Sequence, residues 1–132
     1  MPVGTYILRK FLSKLSDLPA SQLLVTGDLT VDLTRPNIVS TYILTKGSAA
    51  AITLGAPTAG KPSAGGMDGF QIKFIAGSAQ AHVVTSASPG FNGAGSSKDA
   101  ATFGGEIGDS LCLEAYNGAW YVVSSVNVTL GQ

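Results

Sequence analysis

The stretch Leu111-Cys112-Leu113-Glu114-Ala115-Tyr116-Asn117-Gly118-Ala119-Trp120-Tyr121-Val122-Val123 decides the fold class. Leu111, Leu113 and Ala115 alternate with Cys112, Glu114 and Tyr116, the period-two pattern of a strand with one face buried and one wet. Asn117-Gly118 follows, and these are the two residue types that most readily take the positive φ angles of a two-residue type I′ turn. On the return strand Trp120, Val122 and Ser124 alternate with Tyr121, Val123 and Ser125. Only one of Trp120 and Tyr121 therefore faces the interior. The reading is a β-hairpin, with Val126 to Leu130 closing the chain.

The same period runs back toward the N-terminus. Leu29, Val31 and Leu33 alternate with Thr30, Asp32 and Thr34 from a β region that opens at Gln22. Pro36-Asn37 turns the chain, and Ile38 to Thr45 reads as a second strand rich in β-branched and aromatic residues. Ala51-Ile52-Thr53-Leu54 is a short third strand, ended by Gly55-Ala56-Pro57. A loop rich in glycine, proline and serine runs from Thr58 to Gly69. Phe70, Ile72 and Phe74 then alternate with Gln71 and Lys73, which points two phenylalanines into a core. Gly77-Ser78 turns that strand, and Ala81 to Thr85 returns as its expected antiparallel partner. A second long loop, Ser86 to Ala101, leads to the hairpin. About eight short strands between glycine-rich turns predict an all-β chain, an antiparallel β-sandwich, jelly-roll-like fold or small barrel. Residues 22–132 form that single β domain and residues 1–21 a separate N-terminal helix or arm.

Composition narrows the function. The 132 residues suit one domain, because separate cores arise only well above about 200 residues. Seventeen glycines and a charged fraction of only 12%, against a usual fraction of about 25%, imply many turns and a surface of small neutral side chains. The formal net charge is zero, so no global field steers the chain toward phosphate backbones or acidic membranes. Neither a nucleic acid nor a membrane is an expected partner. The 45% apolar content, mean hydropathy of +0.30 and zero net charge leave the chain poorly protected against association, and point to work inside an assembly.

The N-terminal segment is electrostatically distinct, with Arg9, Lys10 and Lys14 and no acid before Asp17. Its apolar residues are interrupted by those cations and by Ser13, so it lacks the uninterrupted apolar core of a targeting peptide. Leu8, Phe11, Leu12, Leu15 and Leu18 recur at three- and four-residue spacing, one face of a helix that Thr5 can cap and Pro19 stops. Two readings stay open. The helix covers an open edge of its own β domain, or it is an arm whose stripe, Tyr6, Leu8, Phe11, Leu12 and Leu15, forms an assembly interface with a neighbouring subunit or another protein.

Several motifs approach chemistry without reaching it. Gly55 to Lys61 has the spacing of a phosphate-cradling loop, but Pro62 stands where a metal-binding Ser or Thr is needed, and Ser63-Ala64-Gly65-Gly66 does not propagate the required helix. His82 is the single histidine, which excludes multi-histidine metal sites; it reads as a strand histidine satisfied by hydrogen bonds. Cys112 is the only cysteine, so no intrachain disulfide or cysteine-based zinc site forms, and between two leucines it reads as a small apolar residue. Glu106, Glu114 and the six aspartates show no acid–base spacing; Asp68, Asp99 and Asp109 sit beside glycine or small residues, as turn carboxylates do. Asn127-Val128-Thr129 fits a glycosylation sequon, with no secretion signal to give it weight. No catalytic residue, metal site or cofactor is expected. Tyr116, Trp120 and Tyr121 cluster around the last turn, and Tyr116 with Tyr121 is the candidate exposed aromatic contact, of the kind that stacks on sugar rings.

The segments YILTKGSAAAITLGAPTAG (42–60), DGFQIKFIAGSAQAHVVTSA (68–87), DAATFGGEIGDSLCLEAYNGAWYVVSS (99–125) and NVTL (127–130) follow one another in an order that resembles small β-domain proteins among the virion structural proteins of tailed bacteriophages. The resemblance covers about two-thirds of the chain and leaves out residues 1–34. It implies a non-enzymatic capsid decoration (cement) protein that binds the major capsid protein of a phage head and stabilises the shell, with a homotrimer at a threefold site as the natural oligomer. The place implied is the virion surface, after synthesis in the cytoplasm of the host bacterium. The alternative is a head or tail fibre domain that binds host-surface glycan or a receptor, and a small hydrolase stands third.

Overall fold

The computed structural model describes residues 21–34 and 38–132. The expected N-terminal helix, its stripe Tyr6, Leu8, Phe11, Leu12 and Leu15, and the Pro36-Asn37 turn lie outside the described residues. Among the described residues ten strands run in order: β1 (Gln22–Val25), β2 (Leu29–Thr30), β3 (Thr41–Leu44), β4 (Ala51–Leu54), β5 (Gln71–Ala76), β6 (Val83–Ser86), β7 (Ala100–Phe103), β8 (Ser110–Tyr116), β9 (Ala119–Val126) and β10 (Val128–Gly131). They form two five-stranded sheets, β1-β3-β5-β8-β9 and β10-β7-β6-β4-β2. The described residues are all-β and consistent with a β-sandwich.

The pairing is mixed rather than antiparallel. The first six strands alternate between the two sheets, so each strand returns to its own sheet only after crossing the other and lies parallel to the strand laid down before it. β1 with β3, β3 with β5, β2 with β4 and β4 with β6 are the parallel pairs. Parallel neighbours need a long crossover, and here a strand of the opposite sheet supplies it. β5 and β6 are accordingly not the antiparallel pair expected from the Gly77-Ser78 turn. The amides of Gly77 and Ser78 both donate to the Leu44 carbonyl at the end of β3, at 2.8 and 3.1 Å, and this anchor carries the chain out of the first sheet. β6 joins β4 and β7 in the second.

Two other elements differ from the expected boundaries. The alternation from Leu29 to Thr34 forms a strand only at Leu29–Thr30. The Asp32 carboxylate accepts the Thr34 amide at 2.8 Å, a local loop that competes with the ladder. Val31 is still buried and its amide donates to the Thr53 carbonyl at 2.9 Å. The end of the second long loop is a strand, Ala100–Phe103, paired with both β6 and β10.

The core lies between the sheets and takes the inward positions of each strand: Tyr42 and Leu44, Ile52 and Leu54, Ile72 and Phe74, Leu111 and Leu113, with Trp120 and Phe91. Tyr42 and Phe74 stack with ring centroids 5.2 Å apart, and burial raises the Tyr42 hydroxyl above its ordinary pKa. Phe74 is fully buried, while Phe70, one residue before β5, is half-buried against the core. Trp120 donates its indole N–H to the Gly55 carbonyl at 2.8 Å, which satisfies its one polar atom and ties β9 of one sheet to the end of β4 in the other. Asn117 and Gly118 take φ angles of 48° and 83°, the positive pair that the hairpin turn demands.

Candidate functional site

His82 is buried and precedes β6 directly. Its Nδ1 accepts the Ala50 amide at 3.0 Å, and its Nε2 lies 3.1 Å from the Ser78 hydroxyl. Ser78 Oγ donates its single hydrogen to the Lys46 carbonyl at 2.6 Å, so it accepts from His82, and the network assigns the Nε2–H tautomer. Burial, which disfavours the charged ring, lowers the His82 pKa. A serine beside a histidine has the composition of a nucleophile and base, but this serine directs its proton to a carbonyl and the ring is sealed from solvent. The histidine joins the β3–β4 connection to the β5–β6 crossover.

The other polar residues picked out in the sequence also hold loops. Asp68 accepts the amides of Gly60 at 3.2 Å and Asn117 at 2.9 Å, which fastens the long loop to the hairpin tip. Asp109 is buried and accepts from the Glu106 amide at 3.0 Å and the Asn127 side chain at 3.1 Å. Asn127, with φ 54°, is the residue at which the chain leaves β9 for the other sheet. Lys61 of the phosphate-loop-like stretch is exposed and opens a three-residue 3-10 turn. Among the described residues no three His, Cys, Asp or Glu side chains converge as a metal site would require, and no helix is long and apolar enough to cross a membrane.

The outer face of the first sheet carries the surface features. Register places its outward side chains in rows across the strands. Leu24, Ile43, Ile75, Ser110 and Val126 make one row, interrupted as an apolar stripe only by Ser110. Leu24 and Val126, on the two edge strands, are 62% and 57% exposed, and Ile107 in the turn before β8 is 70% exposed at the same end. Four strand spacings make this row roughly 19 Å long. The next row is Gln22, Thr41, Lys73, Cys112 and Ser124. Ser40, Thr41, Gln71, Ile72, Lys73 and Cys112 line a surface depression of about 220 Å³, in which Cys112 is half-buried on the outward side of β8.

The far end of the face is aromatic and polar. Tyr121 sits opposite Glu114, and Glu114 opposite Gln71. The Gln71 amide donates to Glu114 Oε1 at 2.8 Å. Tyr116 and Tyr121 are 59% and 38% exposed, with ring centroids 6.0 Å apart and planes tilted by 57°. Both tyrosines of the sequence-derived pair are thus outside the core, while Trp120 takes the interior position. The sequence reading missed Gln71 and Glu114 as their neighbours and missed the apolar row. Alternation marks each of these residues as outward, but only the strand order makes them adjacent.

The edge of β9 is partly shielded. Asn92, in the 3-10 turn Phe91–Gly93, accepts the Val122 amide at 2.9 Å, and the buried Phe91 anchors that turn. A register shift between Cys112 and Leu113 leaves Val123 as an extra residue, a bulge of the kind that bends an edge away from pairing. Comparison with protein-family models and with curated proteins finds no match for this chain.

Proposed function

We propose that this chain is a non-enzymatic structural protein of a tailed-phage virion, a capsid decoration protein that seats as a homotrimer on the outer shell and contacts the major capsid protein. The observation that carries the reading is the apolar end of the first sheet, Leu24, Ile43, Ile75 and Val126 with Ile107. An outward apolar row broken only by Ser110, on a protein with no net charge, marks an interaction surface. The Lys46–Asp28 ion pair at 2.9 Å lies at this end, each charge partnered by the other. The resemblance of the ordered segments from Tyr42 onward supplies the identity of the partner. A fibre domain that contacts host glycan is the second reading, and the exposed Tyr116–Tyr121 pair favours it.

The test is sedimentation with purified empty phage heads that lack a decoration protein. The wild-type chain is expected to pellet with the heads, and the double variant L24D/V126D to remain in the supernatant while still folded. Both positions are exposed, so the substitutions are expected to change stability by no more than roughly 0.5 kcal/mol. Equal pelleting of the two proteins would place the contact elsewhere, and failure of the wild type to pellet would reject the reading.

A further inference from the structure

We infer that the aromatic end of the same face is a saccharide-binding site, built to hold one pyranose residue of a glycan chain. The inference deepens the second reading, glycan contact at the tyrosine pair, and does not depend on attachment to a shell. Two exposed tyrosine rings 6.0 Å apart and tilted by 57° form a shallow corner. A pyranose presents a C–H face and a rim of hydroxyls, so it offers an apolar surface to an aromatic ring and hydrogen bonds at its edge at the same time. Tyr121 provides the flat surface and Tyr116 the side wall. Directly across the strands stands the polar edge, the Gln71–Glu114 pair.

That pair is held before any ligand arrives. The 2.8 Å bond from Gln71 to Glu114 Oε1 uses one amide hydrogen and one acceptor site. It leaves the second carboxylate oxygen, the amide oxygen and the second amide hydrogen to take part in further bonds. A vicinal diol needs such a mixed set of acceptors and donors. Hydrogen bonds from a hydroxyl to an ionised carboxylate are short and about twice as strong as neutral ones.

The adjoining depression extends the site through Gln71, which belongs to both, toward Thr41 and Lys73. Its volume of about 220 Å³ is smaller than pockets that engulf a small molecule, which run from about 300 Å³ upward. A depression of this size engulfs no ligand and leaves the sugar on the tyrosine corner, and its neighbours along the sheet, open to solvent. A polysaccharide lying across the sheet satisfies that geometry better than a free metabolite.

Saturation-transfer NMR on the full chain tests this, with maltotriose, chitotriose, a galactose disaccharide and purified bacterial lipopolysaccharide polysaccharide as probes at millimolar concentration. At least one probe is expected to receive saturation on its ring protons. Tyr121→Ala is expected to weaken that probe's binding about tenfold, corresponding to the stacking contribution, and Tyr121→Phe to retain it. Glu114→Ala is expected to weaken it severalfold. Both positions face outward, and matched melting curves establish that the variants are folded. The inference is overturned if no probe receives saturation, if transfer is undiminished in Tyr121→Ala, or if Tyr121→Ala abolishes a self-association that covers the tyrosines. Shell sedimentation of Y116A/Y121A separates the two proposals, since loss of sugar binding with full pelleting affects only this one.

Discussion

At the residue scale, His82 shows how a functional-looking group is absorbed by structure. The sequence predicts a hydrogen-bonded histidine, and the fold supplies both partners, Ala50 through Nδ1 and Ser78 through Nε2. Nothing in the local sequence names them, because they come from segments 32 and 4 residues away. The pH dependence follows. Burial lowers the folded-state pKa below the ordinary histidine value of 6.5, so above 6.5 the neutral ring stabilises the fold fully. As pH falls below 6.5 the unfolded chain binds a proton that the native state resists, and this stability is lost until the folded pKa is passed. Urea unfolding at pH 7.5 and 5.5 is expected to show a lower midpoint at pH 5.5, with a smaller difference in His82→Gln. His82→Ala, which leaves the buried Ala50 amide without its acceptor and opens a cavity, is expected to cost about 3 kcal/mol. Cys112→Ser, on the half-buried outer face, is expected to cost less than about 1 kcal/mol. A flat pH response would contradict burial of a neutral His82 ring.

At the element scale, the hairpin of β8 and β9 was legible because its determinants are local: alternating leucines, an Asn-Gly turn, and one of two aromatics turned inward. Gly118→Ala isolates the turn. The added methyl meets only ordinary contacts with Ala59 and Pro57 at 3.9 Å, but a φ of 83° is unfavourable for an L side chain, so denaturation is expected to show a loss of about 1–2 kcal/mol. Stability equal to wild type would mean that the turn adopts another conformation. The β5–β6 crossover was illegible for the opposite reason. Gly77-Ser78 signals a turn whether the next strand pairs beside the last or passes to the facing sheet, and the choice rests on the distant Leu44 carbonyl. β7 was hidden because its first two residues, Ala100 and Ala101, are poor strand formers and leave only Thr102 and Phe103 to mark it. Its place in the sheet comes from ladders with β6 and β10. The candidate site was legible in the same proportion: Tyr116 and Tyr121 could be read from one hairpin, whereas Gln71 and the apolar row required the register of five strands.

At the scale of the whole molecule, two ends of one sheet face offer different chemistry. Leu24, Ile43, Ile75 and Val126 suit burial against another protein, while Gln71, Glu114, Tyr116 and Tyr121 suit a hydroxylated ligand in water. In the proposed function the first end meets the shell, and in the further inference the second meets glycan, an arrangement in which one molecule is fixed to a particle and still presents a recognition surface. Among the described residues the buried core runs from Val25 to Trp120. If the N-terminal segment is the arm expected from the sequence, deletion of residues 1–20 leaves a folded β domain that unfolds cooperatively and has lost shell binding or trimerisation; an unfolded product would assign the segment to the domain itself. Attachment through apolar area also differs from attachment through charge in its response to salt. Screening acts on exposed charges, with a screening length of about 3 Å at 1 M, and leaves apolar contact largely intact. The most direct test is sedimentation of the chain with undecorated phage heads at 0.1 M and 1 M sodium chloride. The account predicts equal pelleting at both concentrations, and release from the heads by a few hundred millimolar salt would contradict it.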